Sequence, residues 1–180
     1  MIKRLFIFLT TLPLLAISCS SDNEEPQEYI SYIAVGDQTP QFQVTHVDGT
    51  LLRSSELSGK RVMIVFFIVS CPHCRSLMPV IEEVWLTVKE SGNVAIIPVG
   101  RGERAASVVT YWESEGFTMP AYADTDRLMY DKFAEAGVPR IYMMDENGTV
   151  IWSALGEEGI TADLLMSKLS SFSVTDTKKY

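Results

Sequence analysis

The sequence of residues 62–74 is VMIVFFIVSCPHC. Its first eight residues are all apolar and rich in β-branched and aromatic types, a pattern typical of a central strand that is buried on both faces. Cys71 and Cys74 then open a segment in which Pro72 can occupy a first-turn helix position, where its missing N–H costs nothing. The stretch therefore predicts a buried strand that delivers a Cys-x-x-Cys pair to the N-terminus of a helix, a location that favours thiolates.

The remaining apolar periodicity predicts one α/β domain. Apolar residues spaced by three and four after Cys74 indicate an amphipathic helix. We expect the strand at residues 94–99, reached through that helix, to lie parallel to the strand at 62–69. Further strands are predicted at residues 41–47, 50–52, 138–144 and 149–152, further helices at 103–115, 125–136 and 161–169, and a turn or short helix at 54–57.

Bulk composition limits the possible functions. The chain has 180 residues and a formal net charge of −8, which argues against a nucleic acid partner because few cations are available to neutralise phosphates. It contains three cysteines, so at least one has no disulfide partner within the chain. The pair at 71 and 74 leaves Cys19 alone.

The N-terminus predicts export. Lys3 and Arg4 precede an apolar segment, residues 5–17, that is shorter than the ~20 residues of a membrane span. Residues 16–19 resemble a bacterial lipobox, so we expect residues 1–18 to be a signal peptide and Cys19 to be lipidated. A plain signal peptide and an uncleaved anchor are the alternatives. Residues 19–28, a polar segment rich in acidic side chains, would form a flexible tether to a domain at 29–172, which is followed by a frayed tail at 173–180. The predicted location is the bacterial cell envelope.

The order of elements resembles the thioredoxin fold. Residues 36–42 (GDQTPQF), Asp48-Gly49 and residues 57–60 (LSGK) resemble the opening of the TlpA/ResA branch of redoxin-like envelope thiol–disulfide oxidoreductases. The resemblance implies an N-terminal β-hairpin extension and a central mixed sheet flanked by helices. It also implies a cis bond between Val138 and Pro139, whose preceding backbone would pair with a substrate.

The expected activity is disulfide exchange with protein thiols and disulfides of the envelope, with no cofactor beyond the dithiol. In such a pair the exposed first thiol attacks as a thiolate and the second resolves the mixed disulfide, so we assign attack to Cys71 and resolution to Cys74. The Pro72-His73 dipeptide is shared with the strongly oxidising DsbA family. It predicts that His73 stabilises the thiolate of Cys71 and tunes the redox potential.

Two positions depart from the family pattern. Thioredoxins place a buried acid where Val65 stands here, and ResA-like proteins place a glutamate where Leu77 stands. The proton acceptor for Cys74 is therefore unassigned, and Glu82 and Glu83 are interpreted as surface charges. Arg140, beside the predicted cis-proline, would either steer acidic substrates or face solvent.

Other interpretations of the two thiols fit less well. A structural zinc site would need a second pair of ligands, yet His46 is the only histidine outside the motif. An inert disulfide would close too small a loop to stabilise much. A peroxiredoxin would carry a threonine where Ile68 stands, and a copper chaperone would space its cysteines differently. We expect no metal.

Overall fold

The computed structural model describes residues 29–170. The predicted signal peptide, the tether with Cys19, and the tail lie outside these residues, as do positions 171 and 172 of the predicted domain. No helix among residues 29–170 is long and apolar enough to cross a membrane.

The strands of the described residues are β1 (Gln43–His46), β2 (Leu51–Arg53), β3 (Arg61–Phe67), β4 (Val94–Arg101), β5 (Tyr122–Asp124), β6 (Arg140–Met144) and β7 (Val150–Leu155). They form one mixed sheet with the strand order β2-β1-β5-β4-β3-β6-β7. The predicted β-hairpin is formed by β1 and β2, which lie at one edge. Strands β3 and β4 are parallel as predicted, whereas β6 is antiparallel to β3. The predicted thioredoxin-like architecture is confirmed.

Strand β3 is buried along its whole length. Because successive side chains point to opposite faces of a strand, its apolar run feeds two separate clusters. Met63, Val65 and Phe67 belong to the cluster that the helices cover. Ile64 and Phe66 belong to the opposite cluster, in which the Phe66 ring meets the Tyr130 ring edge-on at 5.0 Å. Continuous burial on both faces explains why β3 shows no polar alternation.

Three helices contribute to the first cluster: α1 (Pro72–Val88), α2 (Ala105–Glu115) and α3 (Ala162–Ser170). The described part of the chain thus has one helical layer against β3. The carboxylate of Glu82, on α1, accepts hydrogen bonds from the backbone N–H groups of Thr118 and Met119 at 2.9 and 3.1 Å. Glu82 therefore ties α1 to the segment after α2, a contact that its interpretation as a surface charge did not include, while Glu83 is exposed as expected.

The helix predicted at residues 125–136 is wrong. This segment contains turns and a short 3-10 helix, Tyr130–Lys132, and Arg127 has a positive φ of 59°. The buried carboxylate of Asp124 accepts the Met129 and Tyr130 N–H groups at 3.1 and 2.8 Å, and these bonds compete with an α-helical pattern. Only part of the predicted apolar face serves tertiary packing, because Met129 and Phe133 are fully buried in the second cluster whereas Leu128 is exposed.

Candidate active site

The two cysteines lie at the start of α1, just after the loop that follows β3. Cys71 is the N-cap residue of α1 with extended backbone angles, and Pro72 follows in the first turn. The Cys71 N–H donates to the Ile68 carbonyl at 3.1 Å, which fixes the turn that leads into the helix. Cys71 is partly exposed and Cys74 is buried; both are free thiols. The local strand–turn–helix pattern therefore presents one thiol to the surface and hides the other.

Burial controls the ionisation of Cys74, which is only 1% exposed. Loss of solvation, together with the neighbouring Cys71 thiol, raises the pKa of the Cys74 thiol to about 12, although the Ile68 backbone and the charge of Arg101 act in the opposite sense. Cys74 is therefore a neutral thiol at neutral pH. This difference in exposure supports the predicted roles, in which Cys71 attacks and Cys74 resolves.

The segment before β6 faces the dithiol. The Val138–Pro139 peptide bond is cis, as the family resemblance implied. The Cys71 Sγ lies 4.0 Å from the Val138 carbonyl oxygen, so the two parts of the predicted site, 67 positions apart, are adjacent in space. Pro139 is buried and Val138 is half-buried. Their predicted contact with substrate is a proposal taken up below.

Gly137 allows the backbone of this segment to pack closely against Tyr29 and Leu155. Its φ of +89° lies in the region that favours glycine, and a Cβ there would come within 3.0 Å of side-chain atoms of both Tyr29 and Leu155. The Tyr130 hydroxyl donates to the Gly137 carbonyl at 2.7 Å. Residues from three separate parts of the chain thus set the backbone that precedes Val138.

Arg140 holds the same segment from inside the protein. Its guanidinium donates to the Ala136 carbonyl through Nε at 3.0 Å and Nη2 at 2.8 Å, and Nη2 also donates to the Tyr29 carbonyl at 2.9 Å. Arg140 is only 4% exposed. It does not face solvent, so that sequence interpretation was wrong; the guanidinium satisfies buried carbonyls that no sequence pattern reveals.

His73 lies on the exposed side of the motif and is 70% exposed. Its Nδ1 is 2.5 Å from a carboxylate oxygen of Glu157, in the loop after β7, and this hydrogen bond lowers the pKa of Glu157. Both side chains line a cavity of ≈ 510 Å³ together with Val138 and Pro139. The sequence offered no signal for Glu157. A second cavity, of ≈ 710 Å³, lies between the hairpin and residues 123–132, and neither cysteine lines it.

A carboxylate also reaches the loop before Cys71. Glu103, in the turn after β4, accepts the Val69 N–H through Oε1 at 3.0 Å. Val65 and Leu77, at the positions where relatives carry acids, are buried in the apolar cluster. Glu103 is therefore the acidic side chain bonded to this loop, and the sequence reasoning missed it because it lies 34 positions from Val69.

The structure offers a metal interpretation little support. In the part of the chain that the structure describes, no three His, Cys, Asp or Glu side chains are grouped so that they could hold a metal ion. His46 lies on β1, where its ring packs edge-on against Tyr122 at 5.3 Å, and it hydrogen-bonds within its own turn. The copper-chaperone alternative is not favoured.

Comparison with known proteins agrees with the site. The Redoxin family model matches residues 34–165. ResA, a thiol–disulfide oxidoreductase of Geobacillus kaustophilus, is 31% identical over 118 residues, which cover 66% of this chain and 67% of that protein. The solution structure of a candidate protein disulfide isomerase from Bacteroides thetaiotaomicron is 31% identical and covers 69% of this chain and 80% of that chain, with a TM-score of 0.67.

A more distant structure shows the shared fold alone. A candidate thiol:disulfide interchange protein of DsbE type from Chlorobium tepidum is 18% identical, covers 77% of this chain and 97% of that chain, and has a TM-score of 0.67. The peroxiredoxin alternative is not favoured by these relatives. The family model matched over residues 34–165 and the similarity to ResA place the chain in the Redoxin family as a thioredoxin-fold thiol–disulfide oxidoreductase.

Proposed function

We propose that the protein exchanges disulfides with other proteins of the cell envelope through Cys71 and Cys74. The observation that carries this proposal is the geometry of the dithiol. A partly exposed Cys71 lies 4.0 Å from the Val138 carbonyl, while Cys74 is buried behind it. An extended substrate segment that pairs with the backbone at Val138 would bring its cysteine sulfur to Cys71.

The exchange needs only the two thiols. The Cys71 thiolate attacks one sulfur of a substrate disulfide, so that a bond between Cys71 and this sulfur forms while the substrate bond breaks. The other substrate sulfur leaves as a thiolate and takes up a proton. Deprotonated Cys74 then attacks the Cys71 Sγ and releases the second substrate thiolate. The substrate gains two electrons, and the enzyme loses two as its cysteines join in a disulfide; the reverse sequence oxidises a substrate.

The experiment that tests the proposal is disulfide exchange by the full chain with a protein substrate, compared with variants that lack either cysteine. Exchange must require Cys71, and mixed disulfides with envelope proteins must accumulate when Cys74 is absent. The protein uses no cofactor in this scheme, since the Cys71–Cys74 pair both donates and accepts the electrons.

We also propose that Cys19 carries lipid and holds the protein on a membrane. The basic n-region, the short apolar segment and the acidic tether support this placement. Cys19→Ala should release the protein into the soluble fraction or block its processing, and labelled fatty acid should mark the wild type alone. A variant that fractionates with membranes as the wild type does, without label in either chain, contradicts lipidation.

His73 is proposed to raise the reduction potential by stabilising the Cys71 thiolate, which exists only in the reduced form. The nearby Glu157 carboxylate offsets part of the interaction between the imidazole and the thiolate. Solvent around the exposed His73 side chain weakens this interaction further, so we expect a small change in the reduction potential. His73→Ala should lower the reduction potential by roughly 20 mV, since about 1.4 kcal/mol corresponds to roughly 30 mV. Equilibration with glutathione measures it.

His46→Ala is the matched control for this measurement, because His46 lies on β1 and lines no part of the cavity beside the dithiol. Its potential should equal that of the wild type. Equal potentials for all three proteins, or a higher potential for His73→Ala, would show that His73 does not stabilise the thiolate.

A further inference from the structure

Arg101 is the last residue of β4 and reaches the cavity beside the dithiol. It is half-buried, and it shares the lining of this cavity of ≈ 510 Å³ with His73, Val138 and Pro139. The positive charge of Arg101 also acts on the buried Cys74 thiol, which shows how near the cavity lies to the reacting sulfurs. The guanidinium is thus placed beside the path of any polypeptide that reaches Cys71.

The guanidinium of Arg101 is held in place by stacking. It lies 4.9 Å from the centre of the Tyr130 ring, within the range of a cation–π contact. Tyr130 is itself fully buried and anchors the Gly137 carbonyl through its hydroxyl. Arg101 is therefore oriented by the same side chain that fixes the segment before the cis-proline.

The donors of Arg101 are nevertheless unused within residues 29–170, where its side chain makes no hydrogen bond or ion pair. Neighbouring arginines behave differently. Arg75 contacts the Glu115 carboxylate at 2.5 Å, and Arg127 contacts the Asp131 carboxylate at 2.8 Å. Glu157 lines the same cavity, but its carboxylate is engaged by His73. A stacked, half-buried guanidinium with open donors is suited to a planar carboxylate.

We propose that Arg101 determines specificity by binding the carboxylate of an Asp or Glu that lies next to the reactive cysteine of the substrate protein. This inference rests on the proposed function. When the substrate sulfur bonds to Cys71, the substrate is brought beside the Val138 backbone, because the Cys71 Sγ is 4.0 Å from the Val138 carbonyl oxygen. The residues that flank the substrate cysteine then enter the cavity that Arg101 lines. An acidic residue beside the substrate cysteine gains a charge-assisted hydrogen bond with the Arg101 guanidinium there. A basic residue in the same place is repelled by the guanidinium charge.

The test uses disulfide-linked homodimers of two short peptides that differ only in having Glu or Lys beside the cysteine. Their rates of reduction by the full chain are measured by stopped flow for the wild type, Arg101→Gln and Arg104→Gln. Any influence of Arg101 on the enzyme thiols changes both rates equally and cancels in the Glu-to-Lys rate ratio. We expect this ratio to fall about tenfold in Arg101→Gln, as for the loss of one charge-assisted hydrogen bond.

Arg104→Gln removes the same charge three residues away and is the matched control. Arg104 is exposed, makes no side-chain cap bond to α2 and does not line the cavity, so its ratio should equal that of the wild type. A wild-type ratio in Arg101→Gln overturns the assignment of Arg101. Reduction of neutral bis(2-hydroxyethyl) disulfide checks the proposed function separately; if the wild type reduces neither this compound nor the peptides, both proposals fail.

Discussion

Replacement of Cys71 by Ala is expected to lower the rate of disulfide exchange by a factor on the order of a thousand or more, as for the loss of other catalytic nucleophiles. Cys74 cannot replace it, because this thiol is 1% exposed and its pKa is raised to about 12 by burial. A substrate disulfide therefore meets no accessible thiolate in the variant. Stopped-flow reduction of a disulfide-linked peptide measures the loss.

Cys74→Ala is expected to accumulate the reaction intermediate, because Cys71 can still attack a substrate disulfide but no thiol remains to resolve the mixed disulfide. Mixed disulfides through Cys71 should accumulate and appear as adducts on non-reducing gels after acid quenching and alkylation. The Cys71→Ala variant is the control and should yield few adducts. Equal trapping by both variants, or by neither, contradicts the assignment of attack to Cys71 and resolution to Cys74.

The wild-type resolution step should also depend on pH. Burial favours the neutral form of Cys74, and only the thiolate can attack the mixed disulfide. Since the pKa of Cys74 is about 12, its thiolate fraction, and with it the resolution rate, should rise about tenfold per pH unit across the neutral range. Single-turnover decay of a preformed mixed disulfide measures this slope. A flat profile would show that another group removes the proton.

Arg140→Leu is expected to destabilise the protein by about 3 kcal/mol, the scale for removing a buried charged donor and leaving its acceptors unpaired. The substitution leaves the Ala136 and Tyr29 carbonyls without their guanidinium donor. Because these carbonyls hold the segment that leads into Val138, exchange should slow as well. Urea unfolding monitored by tryptophan fluorescence measures the loss of unfolding free energy.

Arg53→Ala is the matched control for this loss. The Arg53 side chain is 60% exposed and lies 4.0 Å from the Glu56 carboxylate, and such surface pairs contribute less than about 1 kcal/mol. The loss of unfolding free energy in Arg140→Lys should lie between those of Arg140→Leu and Arg53→Ala, because an ammonium retains the charge but lacks the planar arrangement of donors. Similar unfolding free energies for Arg140→Leu and Arg53→Ala would contradict the structural role of Arg140.

The sequence by itself determined the features that depend on neighbouring residues. An unbroken apolar run predicts β3, and the Cys71-Pro72 pair that follows predicts the start of α1. The Cys-x-x-Cys motif at a helix start also predicted that Cys71 is the more exposed thiol, as the structure shows. The fold class and the position of the dithiol could therefore be predicted before any tertiary contact was known.

Only the tertiary structure decided the interactions that join distant positions. Periodicity predicted a helix at residues 125–136. In the structure the Asp124 carboxylate accepts hydrogen bonds from the Met129 and Tyr130 N–H groups instead, and burial of Tyr130 outweighs the helical propensity of the segment. The pairing of His73 with Glu157 spans 84 positions. Arg140 turns inward to buried carbonyls, whereas Arg101 turns to the cavity beside the dithiol. Sequence spacing specifies backbone periodicity and faces, but the partner of a charged side chain depends on which distant segments the packed sheet brings within reach.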